Sequence, residues 1–481
     1  MVVPDRVTLG RPTPTAPRMS RLITQATSIT CLLLISACST RAVDPGRHDA
    51  APPALAIAPA TSAATGTAAA SAAPPAPTAP ELDPDGDDDP ADTGSGPFPD
   101  KARFERVGQA PLALRRVCDL TPFAGALYAA HAIIPLDADG ATITRYDPRA
   151  KPPFTVAFDW NRRGEPSRNG GAGQGFLRVH AIDGRLYVPD ADPPYNGFEI
   201  TEPGTEGYVF VSDRAGAFAP ATMPHHKLPP PPTDDRGGAG ILPRAYHVLD
   251  VIRYQGRLYA STGSVPPGQR AWHGPAPGAL HVAGADLSRW TYRVDYPRPW
   301  KDGVWRLGYL VRYRGRLFAG LQDFEGADPH DYVVFRPLHQ GAPLTQSDVE
   351  PVRATDRGGH RTVRWYADGQ GKLYWIAMGR EGTRLRVTED GEAWREIPMP
   401  RHAGAPTDVI RFRGVLVALT ERALVRLDRD PPEIVARVST ADGRSPFEPV
   451  DLFCAAPLGV LDGELYMGSQ RDGSLWKLAW D

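Results

Sequence analysis

The chain has 481 residues, with 54 basic and 56 acidic side chains and a formal net charge of −2. Its 48 glycines and 52 prolines argue against long helices and for many short strands joined by turns. Residues 1–98 hold 6 basic and 10 acidic side chains, leaving 48 and 46 for the rest, with no basic block or aromatic-interleaved groove. That pattern excludes nucleic acid as a partner.

The first element is an export segment. From Met19 the chain has a basic start, then the short apolar run around Cys31-Leu-Leu-Leu-Ile35, then small residues up to Cys38. This is too short and interrupted for a transmembrane span and matches a signal peptide, with translation starting at Met1 or Met19. Its end, Leu34-Ile35-Ser36-Ala37-Cys38, resembles the lipobox of bacterial lipoproteins. The resemblance implies that Cys38 is acylated and becomes the mature N-terminus; the alternative is a plain secretory signal with a coincidental cysteine. Ser39 after the cysteine leans, by the same resemblance, toward the outer membrane, facing the periplasm or the cell surface. Residues 39–98 are rich in Ala, Pro, Thr and Ser and close with Asp83-Pro-Asp-Gly-Asp-Asp-Asp89. Too little apolar surface is present to offset the entropy of ordering this stretch, so it is expected to be a disordered tether reaching on the order of 150 Å. Its Asp cluster lacks the glycine and glutamate of a calcium loop and is solvated linker.

From residue 99 onward one phrase recurs: a turn glycine, one or two residues, then Leu followed by an aromatic or apolar residue. The glycines are Gly125, Gly184, Gly256, Gly315, Gly371, Gly414 and Gly463, spaced by 59, 72, 59, 56, 43 and 49 residues. Around the third, His247–Tyr254 alternates as a strand, Gln255-Gly256 turns, Arg257–Ser261 returns, and Ala279–Ala283 and Trp290–Asp295 supply two further strands. Four strands per repeat at this period predict an all-β fold, a seven-bladed β-propeller over residues 99–481, behind the signal peptide and disordered linker. A pair of β-sandwiches with similar hairpins is the competing fold. The Pro-rich insertion around Leu228 is expected to be a surface loop.

With Cys31 in the signal and Cys38 lipidated, Cys118 and Cys454 remain. An exported chain with two cysteines, one before the first repeat turn and one before the last, predicts a disulfide that latches the ring, the alternative being two buried thiols. The site residues come from register. Six residues before each turn glycine stand Asp119, Arg178, Asp250, Tyr309, Trp365 and Asp408, with Pro457 in the seventh repeat. On inner strands these would ring one mouth of the central channel, either as a small-molecule site with three carboxylates or as the polar lining of a wet channel. His131, His180, His247 and His281 fall on or near strands and are expected to be framework residues; His225-His226 sits on a loop without a second ligand pair, so no metal or cofactor is expected.

Thr388-Glu-Asp390-Gly391-Glu-Ala-Trp394 resembles the Asp-box of sialidase-like propellers, one residue short between Asp and Trp; Ser212–Phe218 and Asp286–Trp290 look like weaker copies. The resemblance implies a structural outer turn, with Asp390 holding the turn and Trp394 packing between sheets. No motif places the arginine trio, tyrosine nucleophile and acid aspartate that sialidase chemistry needs. The expected function is therefore a non-catalytic binding or scaffold module for a protein or glycan at the cell envelope, monomeric and held to the membrane by its lipid. The alternative is a sialidase-like glycosidase or polysaccharide lyase using Asp119, Asp250 and Asp408 at the channel mouth.

Overall fold

Short alternating runs punctuated by glycine turns fold as strands throughout. The computed structural model describes residues 94–480, apart from 133–140, 161–174, 192–206, 220–229, 264–277, 297–303, 324–327 and positions 234, 244, 246, 338, 340 and 441. The export segment, Cys38, the tether to residue 93, His225-His226 and Leu228 lie outside the described residues.

Strand β1 (Arg103–Gln109) precedes the first sheet, which runs β2 (Arg116–Phe123), β3 (Ala126–Ala132), β4 (Thr142–Tyr146) and β5 (Phe154–Asp159). The second holds β6 (His180–Ile182), β7 (Arg185–Pro189), β8 (Gly207–Val211) and β9 (Gly238–Leu242). The next eight strands share one sheet: β10 (His247–Tyr254), β11 (Arg257–Gly263), β12 (Ala279–Ala283), β13 (Trp290–Asp295), β14 (Val304–Tyr313), β15 (Arg316–Asp323), β16 (Tyr332–Phe335) and β17 (Val349–Val352). A four-stranded sheet of β18 (Arg361–Ala367), β19 (Leu373–Gly379), β20 (Gly382–Thr388) and β21 (Arg395–Ile397) follows. Another comprises β22 (Pro406–Phe412), β23 (Val415–Thr420), β24 (Ala423–Arg426) and β25 (Glu433–Arg437). The last joins β26 (Leu458–Leu461), β27 (Glu464–Gly468) and β28 (Ser474–Ala479) to β1. The fold is all-β, a propeller arrangement of five four-stranded sheets and one eight-stranded sheet, with antiparallel pairing between neighbouring strands. The seven repeats thus fall into six sheets, because β11 also pairs with β14 through Gly263 and Arg306.

The repeated phrase explains both the turns and the packing. In six of the seven turns both central residues have positive φ, as at Gln255 (49°) and Gly256 (72°). This is the turn whose twist matches a hairpin, and glycine takes its second position without steric cost. The Leu then packs on the preceding sheet and the next residue on the following one. Leu186 meets Phe158 and Tyr128 in one apolar cluster, whereas Tyr187 meets Leu258 and Val251 in the next. Leu258 faces back and Tyr259 forward in the same way, as do Leu317 and Phe318. A dipeptide split in this way ties its hairpin to the repeat before it and the repeat after it.

Closure of the ring has two parts. β1 pairs antiparallel with β28, so a strand from the start of the domain completes the last sheet. Alternation in Phe104-Glu-Arg-Val107 is its signal, but it carries no repeat glycine and sequence reasoning missed it. Beside it, Cys118 and Cys454 form the expected disulfide across a sequence separation of 336 residues, both sulfurs buried. Cross-linking so long a loop restricts the unfolded chain strongly. Replacing both cysteines by alanine is expected to cost about 2–5 kcal/mol in urea denaturation. In the unreduced, denatured wild type neither residue should react with an alkylating reagent.

Candidate functional site

The inner strands β2, β10, β18 and β22 each carry a β-bulge, placing Asp119, Asp250, Arg364 and Asp408 just past the extra residue. A bulge re-aims the following side chain, here toward the inner segment of another repeat. Asp119 Oδ2 accepts the Val179 amide at 3.0 Å, Asp250 Oδ2 the Leu310 amide at 2.7 Å, and Asp408 Oδ2 the Leu458 amide at 2.8 Å. The other oxygen of Asp250 and of Asp408 accepts the amide one residue on, from Val251 and Val409. All three carboxylates are buried and serve as clasps between inner strands.

Two arginines complete the cluster. Arg364 donates Nη1 to Asp119 Oδ1 at 2.9 Å and Nη2 to the Cys118 carbonyl at 3.0 Å, and its Nε lies 3.4 Å from Asp408 Oδ1. Arg178 Nη1 stands 3.5 Å from Asp119 Oδ1, and its guanidinium lies over the Tyr309 ring at 3.9 Å. The Tyr309 hydroxyl donates to the Phe453 carbonyl at 2.7 Å. A continuous belt thus runs Arg178–Asp119–Arg364–Asp408, linking strands from four different sheets. His180 Nε2 approaches Asp250 Oδ1 at 2.5 Å.

One residue of the expected ring is displaced. Trp365 turns away from the axis and packs between sheets with Phe318, Tyr332 and Trp375, its Nε1 donating to the Tyr309 carbonyl at 3.0 Å. The fifth repeat has a longer turn, Asp368-Gly-Gln-Gly-Lys372, in which Asp368 Oδ1 accepts the Gln370 and Lys372 amides. Counting six back from Gly371 therefore stops one residue short, and Arg364, seven back, holds the ring position. Two glycines in that turn were the only hint of its length. Pro457 occupies the seventh position without a polar side chain, and its carbonyl accepts the Gly468 amide. His131, His247 and His281 are framework residues, bonded through ring nitrogens to the Arg116, Ala191 and Pro243 carbonyls. His180 alone of the four joins the cluster.

Electrostatics follow from burial and pairing. Burial pushes Asp408 up to about 7, against its two amide hydrogen bonds and Arg178, which pull it down. Burial also pushes the Tyr309 phenol upward, so it stays protonated. For His180, burial disfavours the cation, but the Asp250 carboxylate outweighs it and raises the imidazole. Among the described residues no group of three or more His, Cys, Asp or Glu is placed to hold a metal ion.

The Asp-box-like segment is the turn between β20 and β21. Asp390 Oδ1 accepts the Glu392 and Ala393 amides at 2.8 Å and the Thr388 hydroxyl at 2.8 Å, which together hold its carboxyl down to about 2. Trp394 donates Nε1 to the Tyr332 hydroxyl at 2.9 Å and packs against the aromatic cluster between the sheets. Asp213 and Asp286 hold their own turns through the Ala215 and Ser288 amides.

A second concavity lies where the eight-stranded sheet meets β18–β21. It encloses 1120 Å³ and is lined by the 353–360 loop, the β19–β20 turn and one face of β20. Six arginines and four carboxylates line it.

No protein-family profile and no curated protein matches the chain. Among solved structures it resembles virginiamycin B lyase from Staphylococcus aureus, at 9% identity and TM-score 0.47, over 79% of this chain and 100% of that one. It also resembles PorZ, a bacterial surface component of the type-IX secretion system of Porphyromonas gingivalis, at 16% identity and TM-score 0.45, over 74% of this chain and 46% of that one. BamB from Moraxella catarrhalis is similar at 10% identity and TM-score 0.38, over 79% of this chain and 98% of that one. Likeness at these levels assigns no activity.

A carboxyl raised by burial keeps its proton in the folded state where the unfolded chain has lost it, so its contribution falls as pH climbs from about 4 toward 7. The raised His180 contributes fully below about pH 6.5 and loses that contribution as pH rises through its folded value. Stability to urea should therefore fall between pH 5 and pH 8, and Asp408→Asn should flatten that slope. Asp408→Ala, which leaves two buried amides without an acceptor, should cost about 1–3 kcal/mol for each. A pH-independent wild type would refute the assignment.

Proposed function

We propose that this chain is a non-catalytic binding or scaffold module of the cell envelope: a seven-bladed propeller carried on a tether from an acylated Cys38. The observation that carries the reading is the use made of the axial carboxylates. Asp119, Asp250 and Asp408 each accept an amide from the inner segment of the following repeat, and Arg364 joins Asp119 and Asp408. Glycosidic cleavage needs two carboxyl groups facing a sugar across a gap of about 5–9.5 Å. Here the carboxylates face backbone and arginine, which supports the binding reading over a lyase or glycosidase at the axis.

Support for seven blades comes from the packing within the eight-stranded sheet. Ile252, Tyr259 and Leu280 of its first half pack against Leu307, Leu317 and Val333 of its second in one buried cluster. Two halves that bury faces against each other behave as two blades, whose strands pair with each other at Gly263 and Arg306. Seven hairpins, six of them with the same two-residue turn, support the same count. The Asp-box resemblance remains a structural one, in which Asp390 and Trp394 shape an outer turn.

Purified protein incubated with neutral and acidic polysaccharides is expected to release neither new reducing ends nor unsaturated products. Asp119→Asn, Asp250→Asn and Asp408→Asn should change the melting temperature and leave that null result unchanged. Turnover abolished by these substitutions would overturn the proposal in favour of an axial enzyme. For the anchor, the chain expressed in a bacterium should incorporate labelled fatty acid, and Cys38→Ala should abolish incorporation. Labelling that survives Cys38→Ala would remove the anchor from the proposal.

A further inference from the structure

The cleft between the eight-stranded sheet and β18–β21 has the chemistry of a ligand site, and one wall of it is built rigidly. Asp331, fully buried, accepts the Ala354 and Thr355 amides through Oδ2 at 2.9 Å each, and the His360 amide through Oδ1 at 2.8 Å. His360 Nδ1 lies 3.1 Å from Asp331 Oδ1 and 2.9 Å from Thr355 Oγ1. One carboxylate thus fixes both ends of the 353–360 loop. Within it, Gly358 (φ 64°) passes so close to the Pro329 carbonyl that a Cβ would lie 1.8 Å from that oxygen. Only glycine serves there. Preorganisation of this kind lowers the ordering cost of binding.

The opposite wall is the face of β20 that looks toward β14–β17. Apolar packing between the sheets stops at Trp394, and beyond it β20 presents Arg384 and Arg386. Arg384 Nε lies 3.5 Å from Glu396 Oε1 and Arg386 Nη2 lies 4.0 Å from Oε2, so two guanidiniums share one carboxylate. Arg386 Nε is buried and finds no acceptor among the described residues. Arg380, on the β19–β20 turn, is exposed at the rim and makes no hydrogen bond or ion pair among the described residues. The cleft therefore holds guanidinium donors in excess of its own acceptors, beside a partly buried tryptophan.

We propose that this cleft binds an acidic polysaccharide, a chain of sugars bearing carboxylate groups. The inference rests on the non-catalytic binding reading above and names the ligand class. Guanidinium groups recognise carboxylates by paired, charge-assisted hydrogen bonds. The interspersed carboxylates, Asp356, Glu381 and Glu396, are acceptors for hydroxyls, which a sugar chain supplies on every ring. A polyglutamate-like peptide offers no hydroxyls and is repelled by those same groups. At 1120 Å³ the cleft exceeds the roughly 300–1,000 Å³ of ordinary small-molecule pockets, as a polymer segment requires.

The test is calorimetric titration of the purified full-length protein with alginate, neutral dextran and polyglutamate. Alginate should bind, with affinity falling as salt is raised, and dextran should not. Arg380→Ala and Arg386→Ala should each weaken alginate binding about tenfold, whereas Arg149→Ala, on a distant turn, should leave it unchanged. Arg380 is exposed, so its variant is expected to melt as the wild type does, and its result stands even if Arg386→Ala unfolds. Absence of alginate binding, equal weakening by Arg149→Ala, or polyglutamate binding as tight as alginate would each overturn the proposal. Cleavage of alginate with unchanged dependence on Arg380 would overturn the non-catalytic reading and leave the cleft assignment standing.

Discussion

The apolar clusters of this fold lie between successive repeats, so no single hairpin has a core of its own. What holds the inner strands in register is an acceptor on one repeat meeting an amide on the next. Asp119, Asp250 and Asp408 do this by side chain, and Trp365 does it in the reverse sense by donating to the Tyr309 carbonyl. A buried amide without a partner costs about 1–3 kcal/mol, so every clasp both stabilises and fixes the angle between sheets. The β-bulges make these bonds possible, because an unbulged strand would aim the same side chains along the pleat.

The belt of Arg178, Asp119, Arg364 and Asp408 has a second effect. It commits these side chains to one another, and Tyr309 adds a bond to the Phe453 carbonyl from another direction. Taking one partner out of such a buried ionic cluster leaves an uncompensated charge, which is strongly destabilising. Chemistry needs groups that are free to change partners, and these are not. The binding proposed for this chain lies farther out, in the cleft beside β20, where the apolar fill between sheets ends and arginines outnumber carboxylates.

Much of this was legible in the residues. The glycine turns, the Leu–aromatic dipeptide and the two late cysteines located the hairpins and the latch, because turn geometry and side-chain alternation are local properties. The third repeat matches almost strand for strand: β10, β12 and β13 end where alternation ends. Three kinds of feature were not local. β1 closes the ring with a partner strand far away in sequence and carries no repeat phrase. Arg364 was hidden by a turn whose two glycines left its length ambiguous. The role of the aspartates depended on which amide lay opposite, which spacing within one strand does not encode. The cleft was invisible for the same reason, since Arg380, Arg386 and the loop held by Asp331 come from separate segments.

The segment leading into β1 lies along the neighbouring sheet before it enters the last one. Phe98 contacts Phe412 edge-on at 6.2 Å, Arg413 donates to the Pro97 carbonyl, and the Ala102 amide donates to the Val435 carbonyl. Tension applied to the chain ahead of residue 94 would meet this strap first, then peel β1 from β28. Losing β1 would not open the circle, because Cys118 and Cys454 still join its two ends covalently. Under load the domain would yield in graded steps, shedding one strand while the remaining sheets keep their neighbours.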